Sequence, residues 1–557
     1  MRRVAIDIET TVRNDVRASP YTDDLICITI NDGVRSWLTY DPHEVEPILA
    51  DPTVLKIFHG GVFDLQFLLH YINQDRIYDL RVQNVWDTLL IERVLTAGTN
   101  AHCDLGSVAE KYSGVFLDKN IRDSFRLHSG ELNQVQIDYA LEDVNHLLTI
   151  QAQQEVAITS RNMLETVQLE NELMPIVADM ELEGIGFNPD AWAYILEVET
   201  SVLPKIEADI QSLLSPSFSY DIFTGKFTGM VNLNSSVQLK LALKRLGIQV
   251  EDTQSSTLEK VTHPIGQQIL EYREHAKRLQ WDYPKYINPI TGRIHPSIVQ
   301  VGADTGRFSC KNPNLQNVPH DQLFRDMFVA KPGYMFVIAD YAQQELRVLA
   351  EHCHDENLLK ACRFADPHLE NARIIYSDPS IQKQDARRTV AKGCSFALVY
   401  GASPETLGHS AGLGLKEAKR VHKKLHTKYP GVDKWGTESW NFLKSHGYIV
   451  TLGGRRRYFP KVLEDPGKYM TVARNTPIQG TSADMMKRAM ILISGYIAHL
   501  NAKLLLCIHD EIIVECTKDV SLEVAQLVER GMVEAGEYYV KSVPIIAETQ
   551  VSSVWKN

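Results

Sequence analysis

Asp7 and Glu9 stand two residues apart in RRVAIDIET, where Val4, Ile6 and Ile8 alternate with the positions between them. That alternation predicts a β-strand, and residues two apart on a strand project from one face, so both carboxylates point the same way. Acids recur in Asp64 of FHGGVFDLQFLLH, Asp87 of VWDTLLIERVL, and Asp143 of DYALEDVNHLL, where Tyr139 lies one helical turn before it. Gathered at one place, these acids would repel one another unless divalent cations neutralised them. Taken singly, each is as readily a solvated acid, and Asp87 just before TLLIERVL reads equally as a helix N-cap.

A second group of reactive residue types lies further along. In GYMFVIADYAQQELRVLAEH an apolar strand ends at Asp340 and a helix begins, a placement suited to holding a metal. LLLCIHDEIIVEC reads as a hairpin whose buried flanks lift His509, Asp510 and Glu511 out of the core. In DARRTVAKGCSFALVYGAS, Arg388, Lys392, Phe396 and Tyr400 recur every four residues. Each such step overshoots a full turn by roughly 40°, giving a slowly rotating stripe on one helix face. Two cations followed by two rings suit a triphosphate and then a base and sugar, although an amphipathic helix with a basic outer face has the same spacing. GRIHPSIVQVGADTGRFSCKNPNLQNVP gathers Arg307 with Asn312, Asn314, Gln316 and Asn317, groups suited to sugar and minor-groove edges. TLGGRRRYFP concentrates Arg455, Arg456 and Arg457, a charge that calls for solvent or phosphate.

Several cores must position these groups. At 557 residues, with 44% hydrophobic and 23% charged residues, the chain has the size and composition of a multidomain globular enzyme. The net charge of -12 does not exclude nucleic acid, because a sum hides local basic grooves and catalytic acids lower it. The eight cysteines include no Cys-x-x-Cys pair, and His352-Cys353-His354 is too crowded for structural zinc, so a reduced, intracellular compartment is expected. No apolar stretch reaches membrane-spanning length and MRRVAIDIET lacks a secretory signal's apolar region. Gly184, Gly186 and Pro189 mark a boundary. Beyond it, Asn232 to Ser236 read as N-capping residues, with phosphate at the helix start as the alternative.

In order, Asp7-x-Glu9, Asp64 and Tyr139-x-x-x-Asp143 resemble the DEDDy family of 3'-5' exonucleases. TGRFS with NPNLQNVP, DYAQQELR, the stripe from Arg388 to Tyr400-Gly401, and Ile508-His509-Asp510-Glu511 resemble the signatures of family A DNA polymerases. The resemblance implies an α/β multidomain chain: an RNase H-like 3'-5' exonuclease domain over 1–160, followed by a right-hand polymerase. In that hand, 161–320 would form the thumb and the start of the palm, and 321–557 a palm with an antiparallel sheet and helical fingers inserted at about 355–440.

The roles implied are these. Asp7, Glu9, Asp64 and Asp143 hold metals in the exonuclease, where Tyr139 orients the attacking water. Asp340 and Asp510 hold metals in the polymerase, with two Mg2+ per site and Mn2+ as a substitute. Lys392 protonates the pyrophosphate, Arg388 clamps phosphate, and His368, Gln343, Phe396 and Tyr400 surround the incoming nucleotide, with Glu345 as the gate against a ribose 2'-hydroxyl. Arg307, Asn317, Gln479, His509, Asn475 and Arg455 contact DNA. Phe396 implies discrimination against dideoxynucleotides. Departures from the family patterns are Gly60 in place of asparagine, where the chain looks closer to ribonuclease D relatives, Ala342, Gln344, Ser395, and Met470-Thr471 in place of Glu-Arg, with Arg474 as a substitute.

The function expected is template-directed primer extension with dNTPs and proofreading, in replication of a phage-type genome without a preceding 5' nuclease domain. Partners would be primer-template DNA, dNTPs and a processivity factor, helicase or primase, with no membrane, in the cytoplasm (the host's, if viral). A ribonuclease D-like processing nuclease and a catalytically dead DNA-binding scaffold are the alternatives; retention of Asp340, Lys392 and Asp510 argues against both.

Overall fold

The computed structural model describes residues 2–13, 18–74, 79–117, 120–215, 219–220, 227–364, 366–462, 464 and 466–556. It resolves into two compact units. One comprises Met1–Gly186, Asn288–Val318 and Ala330–Lys556, and the other is built mainly from Phe187–Ile287 with Pro319–Val329.

The first unit contains two larger sheets beside short two-stranded ladders. The N-terminal one has five strands, β1 (Arg2–Thr10), β2 (Leu25–Asn31), β3 (Ser36–Thr39), β4 (Val54–Phe58) and β5 (Val85–Asp87), in the order β3-β2-β1-β4-β5. β1 pairs antiparallel with β2 and parallel with β4, which pairs parallel with β5. Val4, Ala5 and Ile6 are buried without alternation because helices cover both faces of this central strand. Alternation resumes only at Asp7, Ile8 and Glu9, where the strand runs out from under its cover. Around this sheet lie α1 (Gly61–Asn73), α2 (Thr88–Leu95), α3 (Gln134–Asn145) and α4 (Leu164–Glu183).

The second sheet has four strands, β6 (Tyr334–Tyr341), β7 (Ala502–Ile508), β8 (Glu511–Thr517) and β9 (Ala547–Ser552), in the order β7-β8-β6-β9 and antiparallel throughout. Its buried run from Phe336 to Ala339 faces Ile512–Glu515 across the ladder. Between β6 and β7 come α5 (Gln344–Cys353), α6 (Pro367–Tyr376), α7 (Ala386–Tyr400) and the long α8 (Pro466–Tyr496), among other helices.

The departure Gln344 has a physical account. Gln344 is buried and donates Nε2 to the carbonyl of Ser482 on α8. The backbone N–H of Ala342 bonds Ile546 O. Ser395 is also buried, accepting from Asn371 Nδ2 at 2.8 Å and donating to Ala391 O, while Tyr429 donates to the other end of the Asn371 amide.

In the second unit the helices Pro189–Leu214, Ser236–Arg245 and Ile265–Arg278 bury Ile210, Leu214, Leu239, Leu243 and Ile269. Ser235 N-caps the middle one by accepting from Gln238 N, in line with the capping reading of that segment. Among the described residues, no helix is long and apolar enough to cross a membrane.

Candidate active sites

The exonuclease-type acids converge at the open end of β1. Oxygens of Asp7, Glu9 and Asp143 all lie within 4.8 Å of one another. Asp64, 3% exposed on α1, lies beside the backbone of Ile8, between the two strand acids. Burial, Asp7 and Asp87 push its carboxyl well above the usual range. Burial also raises the Tyr139 phenol, with Asp143 and Glu9 adding to the effect. Unneutralised acids at this spacing are what a divalent cation relieves, so the donor set fits such an ion.

Asp87 holds this cluster together without joining it. Its carboxylate caps α2 by accepting from Leu89 N and Leu90 N at 2.9 and 3.0 Å. It also accepts from Gly60 N and Gly61 N at 3.1 and 2.7 Å. One buried acid thus pins the start of α1, and with it Asp64, against the start of α2. Gly60 sits there at φ 86, a left-handed conformation that glycine adopts without cost.

In the second sheet, β7 and β8 are joined by the two-residue turn His509-Asp510, with Ile508 opposite Glu511. Asp340, at the end of β6, stands in register with Glu511, and Tyr341 N bonds Asp510 O at 3.3 Å. The hairpin therefore delivers Asp510 to Asp340 across a large separation in sequence. Asp340 is open to solvent on one side and hemmed in by protein on the others; this desolvation, then Asp510 and Glu511, push its carboxyl up to about 8, against the opposing pull of Lys392. The raised value reports two acids that cannot both ionise freely, a donor pair that fits a divalent ion. Glu511 has a different engagement, accepting from Trp555 Nε1 at 2.6 Å.

The sign of that shift has a consequence. A carboxyl that keeps its proton in the folded state but loses it near pH 4 when unfolded makes stability fall between about pH 4 and 8, with the full penalty above 8. Asp340→Asn is therefore expected to raise the melting temperature at pH 8 in chelator-containing buffer and to change it little at pH 4. Differential scanning fluorimetry at both pH values checks this.

The nucleotide-side residues fall into two groups. Glu345 accepts from Tyr400 Oη at 2.5 Å and pairs with Arg307, while Gln479 reaches the same phenol. Burial and Glu345 push Tyr400 up to about 12, so it stays a hydrogen-bond donor. On the other side Arg388 pairs with Asp366 at 2.5 Å, and Asp366 caps α6, which carries His368. Burial drives His368 down to about 4, making it a neutral imidazole at pH 7. Lys392, His509 and Asn317 are exposed. Oε1 of Gln343 and Oδ1 of Asn475 are buried acceptors with no partner among the described residues. The side chain of Phe396 lies outside the described residues.

Arg455 corrects an expectation: it does not face DNA. The residue is 3% exposed, and its guanidinium grips Asp484 (Nε at 2.9 Å) and Glu170. Glu170, fully buried on α4, also takes Lys487 and accepts from Gln300 at 2.6 Å. Burial pushes the Glu170 carboxyl up, but Lys487 and Arg455 outweigh it and hold the group below its usual range. Burial drags Lys487 down to about 8 in spite of Glu170. The direct contact between Lys487 and Glu170 keeps the pair ionised. Buried cations need such partners, which a count of arginines in sequence does not show. Removing Glu170 strands buried Lys487 and leaves Arg455 with Asp484 alone, so Glu170→Ala is expected to cost about 3–5 kcal/mol, read from urea unfolding of the full chain. Arg456 and Arg457 are engaged too, over the rings of Tyr448 and Phe459. Arg474 lies beside Asp433 at 3.7 Å and against Gly401 and Gly436.

Sequence reasoning did not single out Asp366, Glu170 or Asp304 (below). Only Asp366 carried a local signal, as the N-cap of PHLE.

An acid cluster on a mixed sheet, followed by an acid pair at the edge of an antiparallel sheet facing a basic helix, defines an N-terminal exonuclease-type domain and a C-terminal polymerase-type domain. Residues 1–156 match the 3'-5' exonuclease family model, and residues 219–557 match that of DNA polymerase family A. The chain belongs to DNA polymerase family A. It is 31% identical to DNA polymerase I of Pseudomonas aeruginosa over 549 residues, covering 92% of this chain and 57% of that protein. Identity to DNA polymerase I of Treponema pallidum is 28%, covering 99% and 56%. It is 32% identical to the thermostable DNA polymerase I of Thermus aquaticus, covering 70% and 48%. The chain thus spans about half the length of these curated relatives. Its fold is that of the POL domain of Pol1 from M. smegmatis, solved in complex with DNA primer-template and dNTP (TM-score 0.82, 24% identity, 99% of this chain and 95% of that one).

Proposed function

We propose that this chain is a template-directed DNA polymerase that extends a primer with dNTPs and proofreads with its N-terminal domain. The observation that carries this reading is the juxtaposition of Asp340 and Asp510 opposite Lys392. Asp340 and Asp510 would hold Mg2+, which supplies charge neutralisation and activation of the primer hydroxyl. Lys392 faces the departing pyrophosphate and gives it a proton, while Arg388, oriented by Asp366, takes triphosphate oxygens. Glu345, braced between Arg307 and Tyr400, fills the space a ribose 2'-hydroxyl would need. His509 and Asn317 lie against the primer strand, with Gln479 and the unpartnered acceptor of Asn475 reading groove edges without sequence preference, while Gln343 sits at the incoming nucleotide.

In the first domain, Asp7, Glu9, Asp64 and Asp143 hold metal and Tyr139, protonated throughout the working pH range, orients water toward the terminal phosphodiester. Positioning and electrostatics thus do most of the catalysis in both domains. Cytoplasmic location and contact with a processivity factor, helicase or primase belong to the same reading.

The test is a labelled primer-template incubated with and without dNTPs, comparing wild type with Asp7→Ala. Extension by both proteins with excision by wild type alone supports the reading. Degradation without extension favours a processing nuclease, and tight binding with neither activity favours a scaffold.

A further inference from the structure

A short turn lies between the exonuclease-type and polymerase-type parts of the first unit. Residues Gly302 to Arg307 close on themselves, with Gly302 N and Ala303 N both bonded to Arg307 O and Gly306 N bonded to Ala303 O. This turn carries Arg307, the partner of Glu345, at one end. At its tip, Asp304 accepts from Gly98 N at 3.2 Å through Oδ1 and from Arg457 at 3.0 Å through Oδ2. Gly98 belongs to the loop that ends α2, the helix whose other end is capped by Asp87 and so clamped to the start of α1 and Asp64. The loop is held closely: Tyr458 N bonds Ala97 O at 2.8 Å, Arg161 bonds Leu95 O at 2.9 Å, and a Cβ at Gly98 would lie 2.2 Å from Tyr458 O.

We infer that Asp304 is a positioning residue that registers the Arg307 turn against the exonuclease domain and thereby sets how a bound primer end is shared between extension and excision. It touches neither acid cluster. Its two oxygens face one group from each side, a backbone N–H of the exonuclease loop and a guanidinium of the polymerase domain. With Asp304 removed, the turn keeps its internal bonds but loses its fixed distance from the α2 loop, so Arg307 meets Glu345 and the primer less often in the extending arrangement. Chemistry at Asp340, Asp510 and the exonuclease acids is untouched.

The inference rests on the proposed polymerase and exonuclease activities, and the experiment separates the two. Full-length wild type, Asp304→Ala and Asp304→Asn are compared on a matched primer-template, a mismatched one and a single-stranded oligonucleotide. The expected result for Asp304→Ala is a ratio of extension to excision on the matched primer lowered roughly three- to tenfold, the span of one solvent-screened hydrogen bond. The loss should lie in KM for the primer-template, with single-stranded excision and kcat for extension unchanged. Asp304→Asn keeps an acceptor for Gly98 N and should recover part of the ratio. An unchanged ratio for Asp304→Ala, or a parallel fall in single-stranded excision, overturns the inference. Wild type that neither extends nor excises overturns the functional reading itself, and this inference with it.

Discussion

Asp340→Ala is expected to lower primer extension by at least about a thousandfold, because one of two acids holding the charge-neutralising ions is lost where charge develops in the transition state. Excision of a single-stranded oligonucleotide should persist, since the Asp7, Glu9 and Asp143 oxygens belong to a different sheet. Glu511→Gln is the internal control. Glu511 neighbours Asp340 in register but spends its carboxylate on Trp555 Nε1, so its loss should cost far less. Single-turnover extension in Mg2+ measures both, and near-normal extension by Asp340→Ala would refute the assignment. Together with the stability gain expected of Asp340→Asn, this makes residue 340 a position where the fold bears an electrostatic penalty for the sake of the site.

Asp7→Ala is expected to reduce excision by a comparable factor and leave extension intact. Asp7 is one of three acids whose oxygens crowd within 4.8 Å, and it is the strand acid that acts on buried Asp64. Its removal relieves Asp64, whose carboxyl should fall toward its ordinary range, but leaves the donor set one oxygen ligand short. Incubation of a labelled primer-template without dNTPs measures the loss; adding dNTPs in the same tube shows whether extension survives. Parallel loss of both activities would mean that the two centres are not separate.

Much of both centres was legible because their residues obey local periodicities. Asp7 and Glu9 share a strand face, Tyr139 and Asp143 share a helix face, and Asp510 tops a hairpin that its apolar flanks announce. The polymerase motifs are contiguous as well, so resemblance could be tested residue by residue. Arg455 was misread for a reason of the same kind. In sequence it is one of three adjacent arginines, and nothing nearby shows that Glu170 and Asp484, far away along the chain, will bury and neutralise it. Asp87 shows the intermediate case: its N-cap role is visible from TLLIERVL, but its grip on Gly60 and Gly61 is not.

The amino-acid order by itself set, through strand and helix periods, which acids, cations and rings face the same way, and its contiguous motifs carry the resemblance that implies the two chemistries. Only the tertiary structure decided which of those groups meet. Asp340 reaches Asp510, Arg307 reaches Glu345, and Asp304 reaches Gly98 through antiparallel pairing and helix packing between distant segments. Burial decided the rest, because the cost of desolvating a charge depends on what surrounds it in space: it turned Arg455 and Lys487 inward to Glu170 and left Lys392 exposed at the polymerase site.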